Sequence, residues 1–82
     1  MAPRILIVDD NRSNLCLLES LLKLNAFEVM TAEHGEDALT KIRLRRPDLI
    51  VSDILMPVMD GYALCRALKS DDRFQHIPFI FY

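Results

Sequence analysis

The chain has 82 residues, of which 51% are hydrophobic and 27% charged, and its formal net charge is −2 at pH 7. The length allows one small domain, and the apolar content excludes a disordered chain. The slightly acidic balance argues against direct nucleic-acid binding, and no apolar run approaches the ~20 residues that a membrane span requires.

The first part of the chain predicts a strand, a helix and a second strand. Residues 5–8 form a short, continuously apolar run, which is typical of a strand buried on both faces. Residues 14–24 predict a helix, and Asn25 suits its C-terminus. Its leucines form two rows at helical spacing, one of Leu15, Leu18 and Leu22 and one of Leu17, Leu21 and Leu24. Residues 27–31 alternate in polarity, as in a less buried edge strand.

The second part continues this alternation. Residues 35–46 predict a helix that Pro47 ends, because the residue before a proline avoids the helical conformation. Residues 49–51 form a second buried strand, Gly61 opens a third helix, and residues 77–82 predict a fourth strand. The order β-α-β-α-β-α-β predicts an α/β fold of three layers, in which helices flank a parallel sheet.

Three carboxylates follow two of the predicted strands. Asp9 and Asp10 come directly after the first strand, and Asp53 comes after the third. If these strands are neighbours in a parallel sheet, their carboxyl ends meet at one edge. Like charges so close together are unfavourable without a cation, and Mg²⁺ is the ion that best fits carboxylates and water. The pattern predicts a Mg²⁺ site that handles phosphate, although a single Asp at a strand end is often only a helix cap.

Three segments in register resemble the receiver domain of two-component signal transduction. They are residues 5–11 (ILIVDDN), 47–53 (PDLIVSD) and 56–61 (MPVMDG), and residues 76–82 (HIPFIFY) are similar to the family's fourth strand. The resemblance implies a flavodoxin-like fold with the strand order 2-1-3-4. It further suggests a receiver of a hybrid sensor histidine kinase or of a multidomain regulator.

The resemblance also implies roles for individual residues. Asp53 is expected to be the phosphoacceptor, which takes a phosphoryl group from a phosphohistidine of a histidine kinase or phosphotransfer protein. Asp10, Asp53 and the backbone carbonyl of Leu55 are expected to hold Mg²⁺, and Asp9 is expected to assist through water.

The chain departs from the family pattern after its fourth strand. The family has five strands and five helices, whereas no further helix or strand follows Tyr82. The family's switch Ser or Thr after the fourth strand, and the Lys that contacts the phosphoryl oxygens, have no counterpart here. Residues 1–82 are therefore expected to be the N-terminal part of a receiver domain, with impaired phosphoryl transfer.

Two other functions remain open from the sequence. A degenerate receiver would act only as a protein-interaction module. A Mg²⁺-dependent phosphatase with an Asp nucleophile would use a similar sheet, but such enzymes usually place two Asp residues two positions apart, whereas Asp9 and Asp10 are adjacent and residue 11 is Asn.

The remaining polar and thiol residues carry weaker signals. Cys16 and Cys65 are interpreted as buried free thiols of a reducing cytosol, with a disulfide or a metal site as the alternative. The apolar stretch near the N-terminus is too short for a signal peptide, so we expect a cytoplasmic protein. The basic cluster is interpreted as a solvated helix end rather than a binding patch, and it consists of Arg43, Arg45 and Arg46.

The predicted fourth strand lies at an edge of the expected sheet. An unpaired apolar edge invites pairing with another chain. We therefore expect self-association through residues 77–82, whose apolar members are Ile77, Phe79, Ile80, Phe81 and Tyr82.

Overall fold

The computed structural model of the protein describes residues 2–56 and 59–82, which form a parallel sheet flanked by helices. In chain order the elements are β1 (Arg4–Val8), α1 (Arg12–Leu24), β2 (Glu28–Ala32), α2 (Gly35–Leu44), β3 (Leu49–Ser52), α3 (Gly61–Lys69) and β4 (Phe79–Phe81). Within these residues the strand order is β2-β1-β3-β4, and all neighbouring strands are parallel. The predicted fold class and strand order are confirmed.

The alternation of side chains along the strands divides the core into two clusters. The cluster on the side of α2 and α3 contains the buried residues Leu6, Val8, Ala32, Ala38, Ile42, Ile50, Met56, Leu64, Leu68, Phe74 and Ile77. The cluster on the side of α1 contains the buried residues Ile5, Ile7 and Leu15, against which Leu18, Leu22, Phe27, Val29, Leu49 and Val51 pack while partly buried. The two faces of one sheet are therefore covered to different extents.

The two leucine rows of α1 have different environments. Leu15 is buried, and Leu18 and Leu22 pack against the sheet. In the other row the exposed fractions are 61% for Leu17, 48% for Leu21 and 83% for Leu24. The helix is confirmed, but only one of its two leucine rows is buried, because a helix on a sheet buries only the row that faces the strands.

The connection from α1 to β2 contains a left-handed residue. Asn25 is the C-cap of α1, as predicted, and Ala26 follows it with φ of 66°. The N–H groups of Ala26 and Phe27 donate to the carbonyls of Lys23 and Leu22, at 3.1 Å each. This is the Schellman arrangement, in which the left-handed position is usually glycine.

The helix α2 ends earlier than predicted. It stops at Leu44 rather than at residue 46, and its C-cap Arg45 is extended, with φ of −144° and ψ of 106°. The chain has to extend before Pro47, since the proline ring disfavours a helical residue in front of it.

The strand β4 is shorter than the predicted residues 77–82. Ile77 belongs to the preceding turn, because its N–H donates to the Phe74 carbonyl at 3.1 Å and its own carbonyl accepts from Lys69 Nζ at 3.1 Å. Pro78 has no N–H, although its carbonyl accepts from the Ile50 N–H at 3.0 Å. Ile77 is also buried, with 2% of its surface exposed, so it does not contribute to an apolar edge.

The cysteines and the basic cluster both lie wholly or partly at the surface. Both cysteines are free, but Cys16 is exposed and Cys65 is only half-buried, so the prediction of two buried thiols is wrong. The basic cluster is exposed, as expected of a solvated helix end: Arg45 pairs with Glu28 at 2.5 Å, and Arg46 donates to the Arg73 carbonyl at 2.5 Å. None of the described helices is long and apolar enough to cross a bilayer.

Candidate functional site

The carboxyl ends of β1 and β3 lie side by side. Val8 is the register partner of Ser52, and the Asp53 N–H donates to the Val8 carbonyl at 2.8 Å. The Asp9 N–H donates in turn to the Ala32 carbonyl at 3.0 Å, which ties the end of β1 to β2. Backbone hydrogen bonds thus fix the positions of Asp9 and Asp53 at the ends of the two central strands.

This edge of the sheet carries an acidic cluster, which consists of Asp9, Asp10 and Asp53. Each offers one carboxylate oxygen, and these oxygens all lie within 4.8 Å of one another. Asp9 is fully buried, Asp53 is half-buried and Asp10 is exposed. The predicted convergence of the three side chains is confirmed, and their repulsion would be relieved by a hard cation with oxygen ligands.

None of the three carboxylates is the N-cap of a helix in the described part of the chain. The N-cap of α1 is Asn11, whose side chain accepts from the Asn14 N–H, and the N-cap of α3 is Asp60, whose side chain accepts from the Ala63 N–H. The acidic cluster is therefore not explained by the ordinary structural use of Asp at a strand end.

The Asp9 carboxylate accepts hydrogen bonds from three residues. Its Oδ1 accepts from the Asn11 N–H at 2.9 Å, and its Oδ2 accepts from Asn14 Nδ2 at 3.1 Å and from the Tyr82 hydroxyl at 2.5 Å. Burial by itself would raise the pKa of Asp9, but the hydrogen bonds from Tyr82, Asn11 and Asn14 outweigh it and lower that pKa below its ordinary value of 3.8.

Asp10 and Asp53 differ from Asp9 in their hydrogen bonds. In the described parts of the chain, no side-chain or backbone donor forms a hydrogen bond to the carboxylate of either residue. Their oxygens are thus available to a ligand, whereas those of Asp9 are already engaged. The donor set of oxygen atoms at this edge fits Mg²⁺.

The start of α3 packs closely against the residues that follow β3. The Gly61 N–H donates to the Ile54 carbonyl at 2.8 Å. A Cβ at Gly61 would lie 2.4 Å from the Asp53 carbonyl oxygen and 3.1 Å from the Ile54 Cα. Only glycine allows this approach, so Gly61 helps to set the position of Asp53.

The loop between Asp53 and α3 is described in part. Leu55, predicted to offer its backbone carbonyl to the metal, lies two residues after Asp53 with a side chain that is 79% exposed. The segment 56–61, which resembles the receiver pattern, includes Pro57 and Val58, which lie outside the described residues. The carbonyl ligand of Leu55 stays a prediction.

Two functional neighbours of the cluster were missed by the sequence reasoning, namely Tyr82 and Asn14. Tyr82 follows β4, which pairs with β3, so its backbone reaches the same edge as Asp53. The rule that gathers the carboxyl ends of parallel strands would have included it. Burial and the hydrogen bond to Asp9 raise the pKa of Tyr82 well above its ordinary value of 10, and the charges of Asp9, Asp53 and Asp10 add to that rise.

Comparisons with known proteins agree with this geometry. The family model of the response regulator receiver domain matches residues 5–82. The chain belongs to the receiver-domain family. Receivers are modules of two-component signal transduction that bind Mg²⁺ at an acidic cluster and interact with histidine kinases or phosphotransfer proteins. The family assignment does not favour the phosphatase alternative.

Individual relatives show how much of a receiver-containing protein the chain spans. It is 45% identical over 80 residues to the response regulator PleD of Caulobacter vibrioides, which covers 98% of this chain and 18% of PleD. A receiver domain of a signal transduction histidine kinase from Syntrophus aciditrophicus is 42% identical, with a TM-score of 0.94 over 98% of this chain and 61% of that one.

A third similar protein was solved with a metal. It is the receiver domain of the sensor histidine kinase PA1611 from Pseudomonas aeruginosa, whose structure has a magnesium ion coordinated in the active-site cleft. It is 28% identical to this chain, with a TM-score of 0.91, and the alignment covers 99% of this chain and 66% of that one.

Proposed function

We propose that Asp53 is the phosphoacceptor of this receiver. The observation that carries the proposal is the acidic cluster, in which Asp53 follows a central strand and is half-buried, with a carboxylate that receives no hydrogen bond from the described residues. A carboxylate in that state keeps its lone pairs for an incoming group, and a carboxylate is an established covalent nucleophile.

The reaction is a transfer between two nucleophiles. An Asp53 oxygen forms a bond to the phosphorus of a phosphohistidine on a partner kinase or phosphotransfer protein, and the phosphorus–nitrogen bond breaks. The electron pair of that bond returns to the imidazole, and Asp53 becomes an acyl phosphate. The partner reaches this edge because Asp10 is exposed and Asp53 is half-exposed.

We propose that Mg²⁺ is held by Asp10, Asp53 and the backbone carbonyl of Leu55, with Asp9 assisting through water. When bound, the ion neutralises charge on the transferred phosphoryl oxygens. The division of labour follows from the hydrogen bonds, because the Asp9 oxygens already accept from Asn11, Asn14 and Tyr82.

We propose that residues 1–82 correspond to the N-terminal part of a receiver domain and that phosphoryl transfer in this chain is slow. The lysines support this second point, because each one is engaged away from the acidic cluster. Lys23 pairs with Glu19, Lys41 donates to the Thr31 carbonyl, and Lys69 donates to the carbonyls of Gln75 and Ile77. No lysine among the described residues supplies a positive charge to the phosphoryl oxygens.

The test is phosphorylation by a small donor such as acetyl phosphate with Mg²⁺, followed by intact mass spectrometry. One acyl phosphate at Asp53 is expected, formed slowly, and Asp53→Asn should abolish it. Asp71→Asn is the matched control, because Asp71 lies in the α3–β4 connection and is bound to Arg73. Continuous release of phosphate would indicate a phosphatase, and the absence of any adduct would indicate a module that acts only through protein contacts; either result contradicts the proposal.

We also propose that the chain is cytoplasmic and self-associates through the exposed part of residues 77–82, which excludes the buried Ile77. Within the described sheet β4 pairs only with β3, so its other edge is open. Ile80 of this strand is 51% exposed on the same side of the sheet as its register partner Val51. Ile80→Lys should lower the apparent mass in a light-scattering dilution series. Leu44→Lys is the control, because Leu44 is also exposed but lies at the end of α2. A monomer at every concentration of the unaltered chain would contradict self-association.

A further inference from the structure

Tyr82 is bound both to the end of β3 and to Asp9 of the acidic cluster. Its backbone N–H donates to the Ser52 carbonyl at 3.1 Å, which fixes its Cα beside the end of β3. From that point its hydroxyl donates to Asp9 Oδ2 at 2.5 Å, across a sequence separation of 73 residues. A hydroxyl that donates to a carboxylate at this distance forms a strong, charge-assisted hydrogen bond.

The Tyr82 hydroxyl is one of three donors to Asp9, but it is the one that comes from the far end of the chain. The other two, Asn11 and Asn14, belong to the start of α1 and hold Asp9 from its own side. Because Asp9 is fully buried, water has little access to replace a donor that leaves. A group that competes for Asp9 Oδ2 competes with Asn14 and Tyr82, and the Tyr82 hydroxyl forms the shorter of these two hydrogen bonds.

Tyr82 forms one wall of a groove beside α1. This groove has a volume of about 240 Å³ and is lined by Asn14, Leu17, Leu18 and Tyr82 itself. Leu17 is 61% exposed, so the groove is open to solvent at this side. The hydroxyl of Tyr82 thus contacts the acidic cluster, while its ring forms a wall of the groove.

We propose that Tyr82 is a positioning residue that competes with a divalent cation for Asp9 and so couples the cation site to the groove on α1. The inference rests on the proposed function, since it requires that the acidic cluster binds Mg²⁺. A cation that binds Asp9, directly or through water, weakens the hydrogen bond from Tyr82. The Tyr82 ring can then move at the wall of the groove. Linkage makes the effect reciprocal, so a ligand that displaces the ring changes the cation affinity.

The first test is Mg²⁺ binding by calorimetry to the 82-residue chain and to two variants. Tyr82→Phe keeps the ring and removes the hydroxyl. The cation then no longer competes with that donor for Asp9 Oδ2, so the Mg²⁺ affinity should rise about three- to tenfold, which is part of the free energy of a charge-assisted hydrogen bond. Tyr62→Phe is the matched control, because the Tyr62 ring packs against Phe81 at 5.0 Å between centroids, and its affinity should stay within about twofold.

The second test needs no variant at the site. Tyrosine labelled with ¹³C at Cζ gives two resonances in this chain, and Tyr62→Phe assigns them. Titration with Mg²⁺ should shift the Tyr82 resonance along the same binding curve and leave Tyr62 in place. This readout applies even if Tyr82→Phe folds poorly.

The outcomes separate this inference from the proposed function. Mg²⁺ binding with an unmoved Tyr82 resonance, or with unchanged or lower affinity in a folded Tyr82→Phe chain, overturns the role of Tyr82 alone. No binding at millimolar Mg²⁺ contradicts both the cation site and the competition. Binding with a moving Tyr82 resonance supports the coupling, whether or not Asp53 is phosphorylated.

Discussion

The two faces of the sheet differ in how completely they are covered. On one face α2 and α3 pack over Leu6, Val8 and Ile50, and each of these side chains is fully buried. On the other face α1 covers Ile5 and Ile7, while Val51 and Leu49 remain partly buried. Both faces carry the same kinds of apolar residue, so the difference comes from the helices that lie on them rather than from the strands.

This difference assigns most of the stability to one face and the solvent-exposed groove to the other. Apolar area that is removed from water stabilises the fold in proportion to its extent, so the α2–α3 face should carry most of the stability. The α1 face keeps exposed leucines and the groove that Tyr82 lines. The acidic cluster lies at the edge where the two faces meet, with Asp9 buried and Asp10 exposed.

The largest expected effect tests the difference directly. Leu64 is completely buried on the α2–α3 face, and Leu64→Ala should cost about 3 kcal/mol of unfolding free energy through lost transfer energy and a residual cavity. Leu17→Ala, at an exposed position of α1, should cost less than about 0.5 kcal/mol. Urea denaturation of both variants provides the measurement, and equal losses would show that the faces contribute alike.

The next effect concerns the two glycines, which both begin helices of the covered face. Gly61→Ala places a Cβ against the backbone of Asp53 and Ile54, which cannot move easily, and should cost about 2 kcal/mol. Gly35→Ala meets the flexible side chain of Met59 at 2.7 Å and should cost less than about 1 kcal/mol. Thermal denaturation compares them, and a Gly35 variant that is less stable than the Gly61 variant would reverse this reasoning.

A stabilising change is expected at the end of α1. Ala26 has φ of 66°, a conformation that costs a residue with a Cβ about 1 kcal/mol. Ala26→Gly removes this strain but adds freedom to the unfolded chain, so the net gain should be about 0.5 kcal/mol. Ala67→Gly in α3 is the control with the opposite sign, at a loss of about 1 kcal/mol. Both are measured by urea denaturation, and a loss at Ala26 would argue against the Schellman geometry.

The smallest expected effect is the pH dependence of the exposed pair formed by Asp71 and Arg73. Hydrogen bonds from the Arg73 side chain and its N–H lower the pKa of Asp71 to about 2. Because the folded pKa is below the ordinary 3.8, the small stabilisation from this pair is present above pH 3.8 and is lost as the pH falls through 2. An NMR titration of the carboxyl carbon should show the low midpoint, and Arg73→Gln should return it toward 3.8.

The sequence predicted the features that depend on local pattern. Short apolar runs separated by helical periods predicted the parallel sheet, and the strand-end rule brought Asp9, Asp10 and Asp53 together before their distances were known. Both inferences need only the identity of neighbouring residues and the general geometry of parallel strands.

The features that were missed depend on contacts between distant segments or on context. The strand-end rule brings Tyr82 to the edge of the sheet that carries the acidic cluster, but its hydrogen bond to Asp9 requires the register of β4 on β3, which the sequence does not reveal. The left-handed Ala26 has no sequence signal, because glycine is the residue expected there. The exposure of Leu17 and Cys16 depends on what lies beside α1, which a helical period does not show.

The central place of β1 has a consequence for synthesis on the ribosome. The strand is made first, yet one of its neighbours is β3, so its second edge cannot be paired before Ser52 has been added. Until then the nascent chain can pair β1 only with β2, and the apolar Leu6, Ile7 and Val8 keep one open edge. Open apolar edges on incomplete chains promote misassembly, so the nascent chain is most open to pairing with another chain between the synthesis of β2 and of β3.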